Sequence, residues 1–387
     1  MPLTGQLTAF ASTAPGLESI VAGELSGLGI VPGRTESGGV EFASTPAELV
    51  RTLLWLRAAS RVTVRLGAFH ARSFAELERH AAKIAWSDLL TPGTAVHFRV
   101  TSKKSRLYHQ DAIAERLERA AGAAVSRLET VRAPLAAEAM EDAGDDVPTV
   151  QRIVVRVMRD EVTLSADASG ALLHRRGYRL AVAKAPLRET LAAALVLASG
   201  WHCDVPLLDP LCGSGTIAIE AAMIARRIAP GRNRRFRAEA WPGYAAAFDA
   251  AREDALRGEL PRAPAPIAGR DRDAGAIEAA RSNAARAGVS DDVHWECGAI
   301  SATSPDDVPG SLVTNPPYGS RIGERAALRD LYAAIGHLIR DRRPHSSLTM
   351  LSADRVLEGQ TGLAFDELFR TTNGGIPVRA VCAPPRS

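Results

Sequence analysis

The sequence predicts an α/β protein: a Rossmann-like, largely parallel sheet in the C-terminal half that ends in an antiparallel pair, preceded by smaller α+β domains. Three observations carry this. From Val205 onward, short apolar runs alternate with helical patterns, the order that builds a parallel sheet. A Gly-rich turn, Asp209-Pro210-Leu211-Cys212-Gly213-Ser214-Gly215-Thr216, joins the first of these runs to the first helix. Near the end, Thr372-Asn373-Gly374-Gly375 separates two strand-like runs, and its Asn-Gly pair signals a hairpin.

In the first half, helical patterns cover residues 16–28, 46–56, 74–86 and 109–125, and strand-like runs cover 62–69, 95–101, 153–158 and 162–165. These shorter elements suit small α/β sandwiches. Residues 138–146 are acidic and contain glycine, which reads as an exposed loop. In the second half, strands are expected at 205–208, 266–269, 293–297, 311–314 and 346–352, with helices at 216–227, 274–287 and 326–340; Gly288 stops the second of these helices. The closing hairpin pairs 365–371 with 376–382. A junction near 168–173 gives three expected domains: 1–60, 61–170 and 171–387.

At 387 residues, with 46% hydrophobic and 24% charged residues, the chain has room for two or three soluble domains. Cys203, Cys212, Cys297 and Cys382 form no CxxC pair, which argues against a disulfide framework or a thiolate zinc site. No metal is expected, and a reducing cytoplasm fits. No apolar run of about 18 residues and no charged-then-apolar leader supports a membrane span or a signal peptide. The net charge is only +3, but residues 99–132 carry +4 and residues 172–237 carry +7, so basic surfaces suited to a phosphate backbone are expected. Within the second stretch, residues 226–237 hold six arginines in twelve positions; Arg234, Arg235 and Arg237 are partners either for RNA or for internal carboxylates.

Asn315-Pro316-Pro317-Tyr318-Gly319 follows a short buried strand, at the end where open α/β sheets bind ligands. An amino group on a nucleobase, or a side-chain amide, is a poor nucleophile because its lone pair is delocalised. If the Asn315 side-chain oxygen and the Pro316 carbonyl each accept one N–H, the lone pair is held toward an incoming methyl group and no strong base is needed. Pro316 and Pro317 stiffen the backbone, and Tyr318 offers a face for a flat substrate.

The Gly-rich turn names the donor. A turn that cradles pyrophosphate would not begin with a strand-end carboxylate, whereas S-adenosylmethionine carries an ammonium group and a cationic sulfur. Gly213 and Gly215 let the backbone approach the ligand, with Asp209 near the ammonium end. Asp271, at the next acidic strand end, can accept both ribose hydroxyls; it follows Gly215 by 56 positions, and residues 226–266 are read as an insertion between them.

Together these residues resemble the THUMP-domain RNA guanine-N2 methyltransferases, which include bacterial 23S rRNA enzymes and related tRNA enzymes. The likeness runs nearly end to end: FASTAPGLE at 10–18, KKSRLYH at 103–109, HRRGYR at 174–179, APLRETLA at 185–192, the DPLCGSGT turn and IAPGRNRRF at 228–236. It implies a ferredoxin-like N-terminal piece, a THUMP domain that grips structured rRNA or tRNA through Lys103, Lys104 and Arg106, and a class I methyltransferase domain. It also implies that Asp209, Leu211, Cys212, Gly213, Ser214, Gly215 and Thr216 line the methionine part, that Thr190 meets the donor carboxylate, and that Asn315 to Tyr318 face the target amine.

One position departs from the family pattern. Where such enzymes carry an aspartate for the adenine amino group, this chain has Ala299. Losing that hydrogen bond costs about 1 to 3 kcal/mol. Either the backbone around Gly298-Ala299-Ile300 compensates, the favoured alternative, or Asp306 or Asp307 does, or binding is weak. The Asn-Pro-Pro-Tyr box also serves DNA adenine-N6 and release-factor glutamine methyltransferases, and a non-catalytic RNA-binding module is the reading from another class.

Overall fold

The computed structural model describes residues 5–131, 150–180, 187–304, 308–318 and 325–385. The acidic stretch 138–146 lies outside the described residues, as do Ala185, Pro186, Asp306, Asp307 and Gly319. The strands are β1 (Leu7–Ser12), β2 (Pro32–Glu36), β3 (Gly39–Ser44), β4 (Arg61–His70), β5 (Ala95–Lys103), β6 (Glu129–Thr130), β7 (Val150–Met158), β8 (Glu161–Asp167), β9 (Leu207–Asp209), β10 (Ile267–Asp271), β11 (Val293–Cys297), β12 (Ser311–Thr314), β13 (Ser347–Ser352), β14 (Asp366–Asn373) and β15 (Ile376–Ala383). The helices are α1 (Glu18–Gly27), α2 (Pro46–Trp55), α3 (Phe74–Ala81), α4 (Gln110–Ala124), α5 (Glu189–Ala198), α6 (Thr216–Ala225), α7 (Ala245–Arg257), α8 (Ala274–Ala287), α9 (Arg325–His337) and α10 (Arg355–Gln360).

The chain divides into two compact units. The first comprises Met1–Thr13, Val21–Leu173 and Asn233–Asp254. Its strands form one mixed sheet in the order β2-β3-β1-β4-β8-β7-β5-β6. The expected division at residues 60/61 falls inside this sheet, because β1 pairs with both β3 and β4. Strand β1 went unforeseen because its inward positions include Ala9 and Ala11, buried but too small to mark a strand by hydrophobicity.

Part of the Arg-rich insertion, placed by sequence in the third domain, counts with this first unit. There Gln151, fully buried, accepts from Trp241 Nε1 at 2.7 Å and Arg237 Nε at 3.2 Å. The Arg234 guanidinium donates to the carbonyls of Leu172 (2.8 Å) and Ala171 (2.6 Å) and is 9% exposed. Arg234 is therefore a structural strut rather than an exposed RNA contact: its two terminal nitrogens donate to backbone carbonyls away from solvent.

The second unit comprises Ala14–Ile20, His174–Arg232 and Ala255–Ser387. Its sheet runs β11-β10-β9-β12-β13-β15-β14, with β9 to β13 parallel and the β14–β15 hairpin antiparallel. Strands β9 and β12 are buried at every position, as expected for strands covered on both faces. The strand order reverses between β9 and β12, which makes their carboxyl ends the crevice of the sheet. Helix α5 is buried at eight of its ten positions, so it carries no amphipathic period and was not foreseen.

Helices α9 and α10 meet where Gly336 lies against the Thr361 carbonyl: a Cβ at 336 would stand 2.0 Å from that oxygen. Gly336→Ala should therefore destabilise this unit by at least about 2 kcal/mol, because backbone must move to admit one methyl group. Thermal unfolding checks this, with a fall in Tm of at least about 4 °C expected.

Candidate active site

At the carboxyl end of β9 the chain leaves the sheet through the Gly-rich turn, where four backbone donors have identified partners. Leu211 N–H donates to Asp209 Oδ1 (3.2 Å), Cys212 N–H to the Arg270 carbonyl (2.9 Å), Gly213 N–H to Asp271 Oδ2 (2.9 Å) and Gly215 N–H to the Cys212 carbonyl (2.8 Å). The two acidic strand ends picked out by sequence thus belong to one hydrogen-bonded turn. Asp271 also accepts from Asp273 N–H at 3.0 Å. An ionised carboxylate has about four acceptor positions, so two remain for a pair of hydroxyls.

The glycines do different work. Gly213, at φ +51°, has open space where its Cβ would be, so that side of the turn is available to a ligand. Gly215, at φ +86°, would put a Cβ 2.5 Å from the Trp295 ring and 2.9 Å from the Ala280 methyl. Its bare backbone is explained by the Trp295 indole packed beneath the turn rather than by close approach of a ligand. Cys212, Ser214 and Thr216 are buried, and the Ser214 carbonyl accepts from Asn283 Nδ2 at 3.1 Å. Burial pushes the Cys212 thiol well up, with Asp209 and Asp271 adding to it, so this cysteine is inert. Leu211 packs on the core beneath the sheet. Thr190 is buried in the first turn of α5.

Asp209 is 1% exposed. Burial raises its carboxyl to about 7, against the Thr314 hydroxyl and the Leu211 N–H, which lower it, while the charge of Asp271 raises it further. Thr314 is the link that sequence reasoning missed. Its hydroxyl donates to Asp209 Oδ1 at 2.7 Å, tying the end of β12 to the end of β9, and Asn315 is the next residue. The Asn315 side-chain oxygen is buried and has no hydrogen-bond partner among the described residues. A buried acceptor left open in this way is costly unless something else fills it. Pro316 is buried, Pro317 exposed and Tyr318 half-buried, and the Tyr318 hydroxyl accepts from Asn373 Nδ2 at 2.6 Å.

Ala299 lies just beyond β11. In the Gly298-Ala299-Ile300 segment expected to stand in for the missing aspartate, the Ala299 carbonyl accepts from Arg270 Nη1 at 3.1 Å and from Ala302 N–H at 3.0 Å, and Gly298 N–H donates to the Asp271 carbonyl at 2.9 Å. Arg270 is buried and ion-paired with Glu296. The turn is thus held from below by a side chain that sequence reasoning passed over, and both lone pairs of the Ala299 carbonyl are engaged within the protein.

In the first unit, Lys103, Lys104 and Arg106 are all exposed, with Lys104 in the left-handed region at φ +52°. Ser105 Oγ accepts from Asp160 N–H (3.0 Å), and Asp160 Oδ1 accepts from Arg106 N–H (2.7 Å), so this loop is tied to the β7–β8 turn. That turn adds the exposed Arg159 to the basic cluster. Arg235 is exposed too, but pairs with Glu239 at 2.8 Å.

Residues 176–379 match the family model described as RMKL-like, methyltransferase domain, and residues 8–63 match that of the RlmL ferredoxin-like domain. A Synechocystis protein named "Putative RNA methyltransferase slr0064" is 34% identical over 370 residues, 95% of this chain and 94% of that protein. Two solved structures align with a TM-score of 0.84. One is a Listeria monocytogenes protein described as "a predicted N6-adenine-specific DNA methylase", 35% identical, with 97% of this chain and 96% of that chain covered. The other is SMU.472, "a putative methyltransferase complexed with SAH", 30% identical, with 100% of each chain covered. The chain belongs to the RMKL-like methyltransferase family, and its cofactor is S-adenosylmethionine.

Proposed function

We propose that this protein methylates the exocyclic N2 of a guanine in structured RNA. The observation that carries the reading is the buried, unpartnered Asn315 side-chain oxygen, one residue beyond the threonine that joins the target-side loop to the cofactor turn. The residues present fit the donor: Gly213 leaves open space, Asp271 keeps acceptor capacity, and Asp209 offers a carboxylate to an ammonium group. When bound, S-adenosylmethionine supplies an electrophilic methyl group on a cationic sulfur. Asn315 and the Pro316 carbonyl each accept one N–H of the target amine and hold its lone pair toward the donor side. Pro316 and Pro317 keep that carbonyl in place, and Tyr318 presents its ring to the base. Transfer leaves a methylated, positively charged nitrogen that still bears both protons; one of them is lost to solvent afterwards, so no buried base is required.

RNA is favoured as substrate by the exposed cluster Lys103, Lys104 and Arg106, by the name of the Synechocystis relative and by the family likeness of the first 170 residues. Charge reversal at these three positions should weaken RNA binding. It should also flatten the dependence of log K on log salt by about one unit per lost phosphate contact. Filter binding across a salt series measures it, and an unchanged slope removes the segment from the interface.

The name of the Listeria neighbour keeps adenine N6 as a second reading. Mass spectrometry of nucleosides from rRNA, tRNA and DNA, each incubated with the protein and S-adenosylmethionine, separates the two. N2-methylguanosine from RNA supports the proposal, and N6-methyladenine from either nucleic acid overturns it.

A further inference from the structure

The sequence places Asn373 in a turn, where an Asn-Gly pair is usually read as the turning dipeptide. The structure gives the turn to Gly374 and Gly375, at φ +56° and +81°, with Asn373 and Ile376 as the closing pair of β14 and β15. Asn373 is thus a strand residue with no left-handed backbone to explain it. Its side chain instead donates from Nδ2 to the Tyr318 hydroxyl at 2.6 Å, across 55 residues of sequence. The hairpin that presents it is fixed on β15, where Arg379 pairs with Glu358, buried at 5% exposure, and with Glu367 of β14 at 3.2 Å.

We propose that Asn373 is a positioning residue for methyl transfer, setting the Tyr318 ring and leaving the phenolic proton to donate to an acceptor on the target base. This rests on the reading of Asn315 to Tyr318 as the target-base site. A phenol oxygen that accepts from an amide N–H still has its own O–H to give, and the direction of that O–H is narrowed by the bond already made. Burial pushes the Tyr318 phenol up while the Asn373 amide pulls it down, so the hydroxyl keeps its proton at neutral pH. The hairpin tip and the Asn-Pro-Pro-Tyr loop then act as one device.

A double-mutant cycle tests this, with unmethylated rRNA and tRNA from a deletion strain as substrates and S-adenosylhomocysteine affinity as the control. Asn373→Ala and Tyr318→Phe are each expected to lower kcat/KM for RNA about tenfold, and the double variant to be no worse than about the poorer single one. Affinity for S-adenosylhomocysteine should stay within about twofold throughout. Asn373→Asp supplies the readout that a merely structural role would not move. It is isosteric, but its carboxylate can only accept, so it draws the phenolic O–H into a hydrogen bond away from the base and should be at least as damaging as alanine.

Wild-type kinetics for Asn373→Ala or Asn373→Asp, or losses that multiply in the double variant, overturn the inference. If Asn315→Ala collapses turnover while the Asn373 variants are silent, only this inference fails. If Asn315→Ala and Tyr318→Phe both keep full rate, the target-base site itself is misplaced and the inference falls with it.

Discussion

Replacing Asn315 by alanine is expected to lower single-turnover methyl transfer by at least about a hundredfold while leaving affinity for S-adenosylmethionine nearly unchanged. The size follows from what the side chain does in the protein alone. Its oxygen is buried and makes no hydrogen bond among the described residues, so truncation breaks no such bond and removes an open acceptor. Stability should therefore hold or rise slightly, as is common where a site is built for function at the expense of the fold. In the transition state the same oxygen takes an N–H whose charge is growing, an interaction stronger there than in the ground state, so its loss appears in the chemical step. Rapid-quench measurement with labelled donor and saturating RNA reads the rate, calorimetry reads the affinity, and a melting curve reads the fold. An unchanged single-turnover rate would remove Asn315 from the chemistry.

The order of the strands in the second unit, with α6, α8 and α9 among them, was legible because its strands are short apolar runs and α8 ends at Gly288, in the left-handed region at φ +73°. Local motifs were legible too: Asp209, Gly213, Asp271 and Asn315 each stand out by residue type and by position at a strand end. What joins them was not. The bonds from Thr314 to Asp209 and from Gly213 to Asp271 cross 105 and 58 residues of sequence, and nothing local marks either partner. The same holds for Trp295, whose ring accounts for Gly215, and for Arg270 beneath Ala299. Arg234 shows the reverse error: a guanidinium in a basic run looks like a nucleic-acid contact until its acceptors, two backbone carbonyls, are in view. Charge runs report composition, whereas burial depends on tertiary packing.

Affinity for S-adenosylmethionine should fall as pH drops below about 7, and Asp209→Asn should abolish that dependence while weakening binding by about a hundredfold at pH 7.5. Burial raises the Asp209 carboxyl to about 7 in the ligand-free protein, well above the ordinary carboxylate range. The sign for stability follows: a raised folded-state value contributes stability that is fully present below about pH 4 and lost as pH rises through about 7. An ammonium group beside Asp209 favours the ionised form and brings the carboxyl back down. Binding between these limits must then expel a proton, and affinity should change by up to about tenfold per pH unit below 7. The ammonium of the donor is itself retained only below about pH 8, so the tightest binding is expected between about pH 7 and 8. Calorimetry at pH 6 in buffers of different ionisation enthalpy counts the expelled proton directly. Equal affinity at pH 5.5 and 7.5, or a wild-type pH profile in Asp209→Asn, would mean that the ammonium end of the donor lies elsewhere.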